Sequence, residues 1–146
     1  MSLAEMLLRD ELQREPETPE EVKRLLDAID RRLEDAGIEA NHPETRLEQA
    51  YHAILNCALV GLRANGLRPT DGRGHHIVAL ESLCDTLGTP GNRVDYFQTL
   101  RDLRNKGLYT GGIHVTVRQA EEAIAEAQVL RSELVQWLSE REEGGR

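Results

Sequence analysis

The chain has 146 residues with 18 basic and 26 acidic side chains, so its formal net charge is -8 at pH 7. This length suits one domain with a core of its own. A hydrophobic content of 39% excludes a chain that is disordered throughout. The acidic balance also argues against a general nucleic-acid-coating protein, because such proteins neutralise phosphates with clustered Lys and Arg.

Several whole classes of protein are disfavoured by simple patterns. No apolar run approaches the roughly 18 residues that a membrane-spanning helix needs, and the first residues lack the features of a signal peptide. We therefore expect a cytoplasmic protein with no membrane partner. The two cysteines, Cys57 and Cys84, lack Cys-x-x-Cys spacing, so the sequence predicts neither a disulfide framework nor a thiolate zinc site. Both are expected to be core residues.

Charge is distributed unevenly along the chain. Residues 1–40 carry 6 basic and 12 acidic side chains, a net charge of -6, and residues 115–146 carry 4 and 7, a net charge of -3. Residues 41–114 carry 8 and 7, a net charge of +1, together with all five histidines. An anionic ligand should therefore meet the middle of the chain, unless the two ends are simply solvated helix faces.

The first 40 residues are predicted to form an acidic, helical N-terminal part. Residues 3–14 are mostly good helix formers, and Pro16 ends that segment. Helical spacing of apolar residues then runs from 18 to 36, with Thr18 and Glu21 as a capping box, Pro19 in the first turn and Gly37 as the stop. Residues 41–146 are predicted to form the main helical bundle, and the two parts together are expected to make one integrated domain.

The next helix is predicted to lie at the centre of the bundle. It starts near Pro43, and between residues 50 and 62 apolar side chains cover most of its circumference. A narrow polar strip with His52, Asn56 and Arg63 is expected to be its exposed edge. Because one small bundle leaves part of such a helix uncovered, we expect a homodimer that buries the remaining apolar area.

Three further helices complete the predicted fold. They cover about residues 75–87, residues 92–106 and a last long helix that opens with a Thr116–Gln119 capping box. The apolar alternation typical of strands is limited to residues 112–115, which is too short for a sheet. The sequence thus predicts an all-α protein, an antiparallel (up-and-down) helical bundle of five or six helices.

The helix over residues 92–106 contains an anomaly. Its apolar face includes Val94, Phe97 and Leu100, and Arg104 falls in the middle of that face at helical spacing. An inward guanidinium needs a carboxylate, carbonyl oxygens or a bound anion. Two interpretations follow, a structural arginine paired with a neighbouring carboxylate and an arginine that lines an anion site.

Several segments carry a resemblance to a known family. The run Arg101-Asp102-Leu103-Arg104-Asn105-Lys106-Gly107-Leu108-Tyr109, followed by a capped helix rich in Ala and Glu, resembles the signature end of HEPN domains. Upstream, residues 50–55, 66–70 and 73–76 resemble the central helix and following loop of the SAV_6107-like branch of that superfamily. The resemblance covers about residues 44–140 and leaves the first 40 outside it.

The resemblance implies a helical homodimer, in many members a metal-independent endoribonuclease of toxin–antitoxin or defence systems, with an antitoxin or other protein as a further partner. The family motif is an Arg, a polar residue and then a His, with four to six residues between the Arg and the His. Arg104 and Asn105 match the first two positions. The histidine is missing: Tyr109 stands at the first permitted position, and His114 lies three residues beyond the last one.

This departure leaves three alternatives for RNA chemistry, because an imidazole is the best proton acceptor and donor near pH 7. His114 could reach back to Arg104, His75 or His76 could arrive from the preceding loop, or cleavage could be lost while binding is kept. The candidate catalytic residues are Arg104, Asn105, Tyr109 and His114, and the candidate binding residues are Arg101, Lys106, His75 and His76. We expect RNA or a nucleotide as ligand and no metal or other cofactor. The alternative function is a non-catalytic helical interaction module with a structural Arg104.

Overall fold

A computed structural model describes residues 2–71, 74–111 and 114–144, with side chains for all of these except residues 108–110 and 144. Within these residues the protein forms seven helices and one two-stranded sheet. The elements in chain order are α1 (Leu3–Leu8), β1 (Leu12–Arg14), α2 (Pro19–Ala36), α3 (Pro43–Arg63), β2 (Leu67–Pro69), α4 (His75–Glu81), α5 (Leu83–Thr86), α6 (Gly91–Thr110) and α7 (Val117–Gly144).

The predicted all-α bundle is confirmed, with α3 at its centre. Helices α2, α4, α6 and α7 all pack against α3, and most of its side chains from Arg46 to Arg63 are buried. A helix with an apolar surface on nearly every side is stable only where neighbours surround it. Here the neighbours come from the same chain, so α3 itself does not require a second copy of the protein to cover it.

Hydrogen bonds at both ends fix the directions of α2 and α3. At one end Arg46, near the start of α3, donates from Nε to the carbonyl oxygen of Ala36 at 2.8 Å, at the end of α2. At the other end Arg63, the last residue of α3, forms an ion pair with Glu21 in the first turn of α2. The two helices therefore run antiparallel, as short connections between long helices favour.

The relation between α3 and α7 is different. Arg141 near the end of α7 donates from Nη2 to the carbonyl oxygen of Ala64, immediately after α3, at 3.0 Å. Both helices therefore point the same way; they are not consecutive, since α6 lies between them along the chain. Within the described helices, none is long and apolar enough to cross a membrane.

The N-terminal segment differs from its prediction as one helix over residues 3–14. Helix α1 ends at Leu8, Asp10 takes a left-handed backbone with φ 59°, and β1 then pairs antiparallel with β2. Leu12 lies opposite Pro69 in this ladder and is buried. Asp is one of the few residues other than Gly that adopt this backbone readily, and the turn lets the chain bury Leu12 instead of continuing the helix.

The two predicted capping boxes have opposite outcomes. At the start of α7 the Thr116 amide donates to Gln119 Oε1 at 2.9 Å, and the Gln119 amide donates to Thr116 Oγ1 at 3.1 Å, which confirms that box. At the start of α2, Thr18 makes no side-chain capping bond. The prediction of a box at Thr18 was wrong because the carboxylate of Glu21 is held by Arg63 and Arg68 instead.

Arg63 corrects the prediction of an exposed polar strip, because the residue is only 1% exposed. Its Nη2 donates to the carbonyl oxygen of Pro16 at 2.7 Å and its Nη1 donates to that of Glu15 at 2.8 Å. A buried guanidinium needs such partners on every side. The N-terminal segment supplies them, and no helical periodicity within α3 reveals that.

Two smaller expectations are also corrected. The helix predicted over residues 75–87 is divided into α4 and α5, with buried Ser82 between them donating to the carbonyl oxygen of Ala79 at 2.6 Å. Cys57 is buried as expected, but Cys84 is exposed. In the short helix α5 the buried positions are Leu83 and Thr86, so Cys84 lies on the outer side.

Candidate functional site

Polar and charged side chains from three helices meet beside the first half of α3. We call this set the Tyr51 cluster, and its members are Glu48, Tyr51 and His52 of α3, His75 and His76 of α4, and Arg101 and Arg104 of α6. Four of the residues that the sequence singled out, His75, His76, Arg101 and Arg104, are thus brought together. Because they come from separate helices, only the folded bundle assembles them.

Tyr51 lies at the centre of the cluster and is fully buried. Its hydroxyl and Nδ1 of His76 form a hydrogen bond of 3.0 Å. The guanidinium carbon of Arg104 lies 5.8 Å from the centroid of the Tyr51 ring, within the range of a cation–π contact. A buried tyrosine normally finds a partner for its hydroxyl, and here that partner is a histidine of the candidate site.

Arg104 is not the buried guanidinium that its position on the apolar face suggested. Its side chain is 24% exposed, and its Nε lies 3.4 Å from Oε1 of Glu48. The same carboxylate oxygen lies 3.7 Å from Nε2 of His52. Both distances exceed the 2.7–2.9 Å or so of a strong charge-assisted hydrogen bond. Arg104 therefore lies at the edge of the bundle with a loosely held carboxylate partner.

Arg101 is held more firmly, one helical turn before Arg104. Its Nε donates to Oε1 of Gln98 at 3.0 Å, and Gln98 Nε2 donates to the carbonyl oxygen of Ile77 in α4 at 3.1 Å. Its Nη2 forms an ion pair of 2.8 Å with the exposed Asp102. The bonds through Gln98 fix α6 against α4, so they also fix Arg101 relative to His76.

The pKa values of His52 and His76 are shifted so that both side chains favour their neutral forms. Burial lowers the pKa of His76 to about 4, with further lowering by His75 and Arg104. Burial and then Arg104 lower the pKa of His52, against a smaller opposing effect of Glu48. Burial raises the pKa of Tyr51 to about 12. At pH 7 His52 and His76 are therefore mainly neutral, and Arg101 and Arg104 carry positive charge beside them.

The other predicted site residues have different positions. Asn105 follows Arg104 on α6 and is half-buried, Lys106 is exposed, and His114 is exposed. No described hydrogen bond or ion pair joins His114 to Arg104, so nothing in the described region supports the return of His114 to the site. The side chain of Tyr109 lies outside the described residues.

The sequence interpretation missed three members of the cluster as site residues, namely Glu48, Tyr51 and His52. Tyr51 carried a usable signal, because a tyrosine on the fully apolar face of a central helix needs a partner for its hydroxyl. For His52 the sequence pattern predicts an exposed edge of α3 and not a site. Glu48 carried no signal, since a glutamate one turn before His52 is an ordinary surface pair.

The described residues include no group of three or more His, Cys, Asp or Glu side chains that could hold a metal ion. The side chains of the cluster offer two guanidinium groups, the imidazoles of His52, His75 and His76, a phenol and a carboxylate. Comparison with known proteins adds no relative: no protein-family model, curated protein or solved structure matches this chain.

Proposed function

We propose that the Tyr51 cluster binds the phosphate groups of RNA or a nucleotide, and that the protein works as a HEPN-type homodimer in a toxin–antitoxin or defence module. The observation that carries the proposal is the placement of Arg101 and Arg104 beside the neutral imidazoles of His52 and His76 at one half-buried place. The homodimer and the type of module rest on the sequence resemblance around Arg104.

Charge supports an anionic ligand at this place. The protein as a whole is acidic, with a net charge of -8, yet this place holds two arginines, of which Arg101 pairs with Asp102 at 2.8 Å and Arg104 has only the longer contact of 3.4 Å with Glu48. Guanidinium groups match phosphate oxygens in geometry and remain charged at all relevant pH values. Neutral imidazoles nearby add donors for the same oxygens. If a histidine of the cluster takes up a proton when an anion binds, the positive charge that faces the anion increases.

We favour binding over efficient cleavage. Among the histidines that could take the place of the missing one, His76 is linked to Arg104 through Tyr51, which bonds to His76 and whose ring lies under Arg104. A neutral imidazole accepts a proton, but a pKa of about 4 makes it a much weaker base at pH 7 than an ordinary histidine. Cleavage through His76 is therefore expected to be slow, whereas phosphate binding needs only the arginines.

One observation favours the second candidate function, a non-catalytic interaction module. Glu48 provides Arg104 with a carboxylate at 3.4 Å, as a structural arginine requires. The long distance and the exposure of both side chains limit what this pair contributes to stability. The two candidates differ in what Arg104→Ala does to ligand binding.

The test is fluorescence anisotropy with a labelled single-stranded RNA, comparing the wild-type protein with Arg104→Ala and Arg24→Ala. Arg24 is an exposed arginine that lines a shallow hollow with Arg63, at the other end of α3. Losing a charge-assisted contact at the site should weaken binding about tenfold or more. Arg24→Ala should change it less than about threefold. Equal effects of both variants, or no binding by the wild type, would contradict the proposal.

A further inference from the structure

Two of the half-buried arginines in the described part of the chain lack a close carboxylate. The other four have a carboxylate oxygen within 2.8 Å, and these are Arg68, Arg93, Arg101 and Arg131. The two exceptions are Arg104, which lies 3.4 Å from Glu48, and Arg32, which forms no ion pair with any described residue. Their charges are therefore the least neutralised, and guanidinium groups of this kind suit an anion from solution.

Arg32 of α2 is held in place by a neutral partner. Its Nη1 donates to Oε1 of Gln49 on α3 at 2.9 Å. Its Nε and Nη2 have no described partner, and neither is among the enclosed polar side-chain atoms that lack one. Both of these nitrogen atoms therefore face solvent. The amide of Gln49 thus fixes the guanidinium against α3 and leaves its charge and two of its donor groups for a ligand.

Arg32 and Arg104 lie on either side of one strip of α3. Arg104 contacts Glu48, and Arg32 contacts the next residue, Gln49. Because successive residues of an α-helix are about 100° apart, His52 lies between these two, about 40° from Glu48 and about 60° from Gln49. The charges of both arginines also lower the pKa of His52, after the larger effect of burial. His52 is thus flanked by two guanidinium groups from different helices.

We infer that Arg32 is a second phosphate-binding residue, and that the ligand is a single-stranded RNA whose successive phosphates contact Arg104 and Arg32 as the strand crosses α3 at His52. This inference rests on the proposed function, since Arg104 provides the first contact. It extends the site onto α2, which belongs to the first 40 residues that the sequence resemblance leaves outside. A nucleoside monophosphate has a single phosphate and can therefore use only one of the two arginines.

The experiment measures binding of a 3′-labelled single-stranded hexaribonucleotide by fluorescence anisotropy at several NaCl concentrations. Arg32→Ala removes the proposed contact. Arg31→Ala is the matched control, because Arg31 is the exposed neighbour on the same helix and has no described partner. Circular dichroism establishes that each variant is folded.

A second pair of variants keeps the arginine in place. Gln49→Glu puts a carboxylate where the amide now accepts the hydrogen bond from Arg32, so the guanidinium stays fixed while its charge is offset. Gln128→Glu is the control, since it adds the same charge at an exposed position of α7. This pair tests the inference even if Arg32→Ala does not fold.

We expect Arg32→Ala and Gln49→Glu each to weaken binding of the hexaribonucleotide about fivefold or more. Each should also reduce the slope of the logarithm of the binding constant against the logarithm of the salt concentration by about 0.7, the effect of one lost phosphate contact on a single strand. The two control variants should change the affinity less than about threefold and keep the wild-type slope.

The failure of this inference differs from the failure of the proposed function. If Arg32→Ala and Gln49→Glu behave like their controls while Arg104→Ala weakens binding, the inference is overturned and the proposed function is kept. Weaker binding by Arg32→Ala with an unchanged salt slope also overturns it, because the loss is then structural. If the wild type does not bind the hexaribonucleotide, both proposals fall.

Competition with uridine 5′-monophosphate tests the requirement for more than one phosphate. We expect the mononucleotide to displace the labelled strand from the wild type only at a much higher concentration than the unlabelled hexaribonucleotide does. Displacement by both at similar concentrations would show that one phosphate is enough, which overturns the inference.

Discussion

The hydroxyl of Tyr51 and Nδ1 of His76 lie 3.0 Å apart, and this hydrogen bond joins the buried middle of α3 to the first turn of α4. The bond connects the core of the protein with its candidate site. The histidine is held in one orientation by a residue that cannot itself move without disturbing the core. The bond therefore has a measurable effect on both stability and ligand binding.

Tyr51→Phe should lower the free energy of unfolding by about 0.5–1.5 kcal/mol, the usual effect of losing one intramolecular hydrogen bond. The ring and its contact with Arg104 remain. Tyr96→Phe is the matched control, because no hydrogen bond of the Tyr96 hydroxyl is found among the described residues. Urea unfolding measures both variants. Equal losses in the two would show that the bond to His76 contributes nothing specific.

Arg63→Ala and Arg104→Ala should differ strongly in stability. Arg63 is 1% exposed and surrounded by the carboxylate of Glu21 and the carbonyl oxygens of residues 15 and 16. Its removal should cost about 3–5 kcal/mol. Arg104 is partly exposed and has one long contact, so its removal should cost less than about 1 kcal/mol. A large loss of stability in Arg104→Ala would identify it as a structural residue and favour the interaction module.

Stability should depend on pH through His76. Its pKa is lowered to about 4 in the folded protein, first by burial and then by His75 and Arg104, and it is about 6.5 in an unfolded chain. Between these values the unfolded chain binds more protons, so the free energy of unfolding falls as the pH is lowered from about 6.5 towards 4. Glu21, whose pKa is lowered mainly by its bond to Arg68, acts in the same direction at pH values below 4.5.

Urea unfolding at pH 7 and pH 5 measures this dependence, and His76→Gln should reduce the difference between the two values. Most of the interval lies above the range in which Glu21 titrates, so its contribution there is small, and the part of the difference that remains in His76→Gln includes that of His52, whose pKa is also lowered. An NMR titration that gives His76 a pKa near 6.5 in the folded protein would contradict the prediction directly.

We predict a homodimer, on the sequence resemblance rather than on any uncovered part of α3, which the single chain surrounds. Sedimentation equilibrium at micromolar concentration should give about twice the chain mass of 16.4 kDa. A monomer throughout that range would remove the two-fold arrangement of the proposed site. The binding experiments with single-site variants would then apply to one independent site.

Tyr109 stands where the family histidine is expected, so Tyr109→His tests for a dormant nuclease site. An imidazole with a pKa near 6.5 exchanges protons at pH 7, whereas a phenol near 10 does not. The variant should gain RNA cleavage in EDTA by about a hundredfold, and Arg104→Ala in the same protein should abolish the gain. A folded variant that cleaves none of several RNAs would show that the position does not face the site.

Much of the fold was predictable because local signals determined it. Helical spacing, Pro19 and Pro43 in first turns and the Thr116 capping box identify α2, α3 and α7 from short stretches of sequence. Strand β1 was not predictable in this way. Its three residues follow good helix formers, and it exists because distant β2 provides a partner and the core receives Leu12. Such tertiary effects override local propensity.

The candidate site was predictable only in part. Arg104 was found because it interrupts an apolar face within one helix. Tyr51 and Glu48 were missed as site residues because their importance depends on side chains from α4 and α6. The prediction of Arg63 as an exposed residue was wrong for the same reason, since its carbonyl partners precede α2 and lie 47 and 48 residues away in sequence.

The position of those carbonyl groups has a consequence for dividing the protein. A chain shortened to begin at residue 17 keeps every residue of the four long helices α2, α3, α6 and α7. It loses the carbonyl oxygens of Glu15 and Pro16, which accept hydrogen bonds from Arg63. Water would then reach the Arg63 guanidinium at the C-terminal end of α3. The first 16 residues therefore cover one end of the bundle, and a fragment that omits them begins with part of its core exposed to solvent.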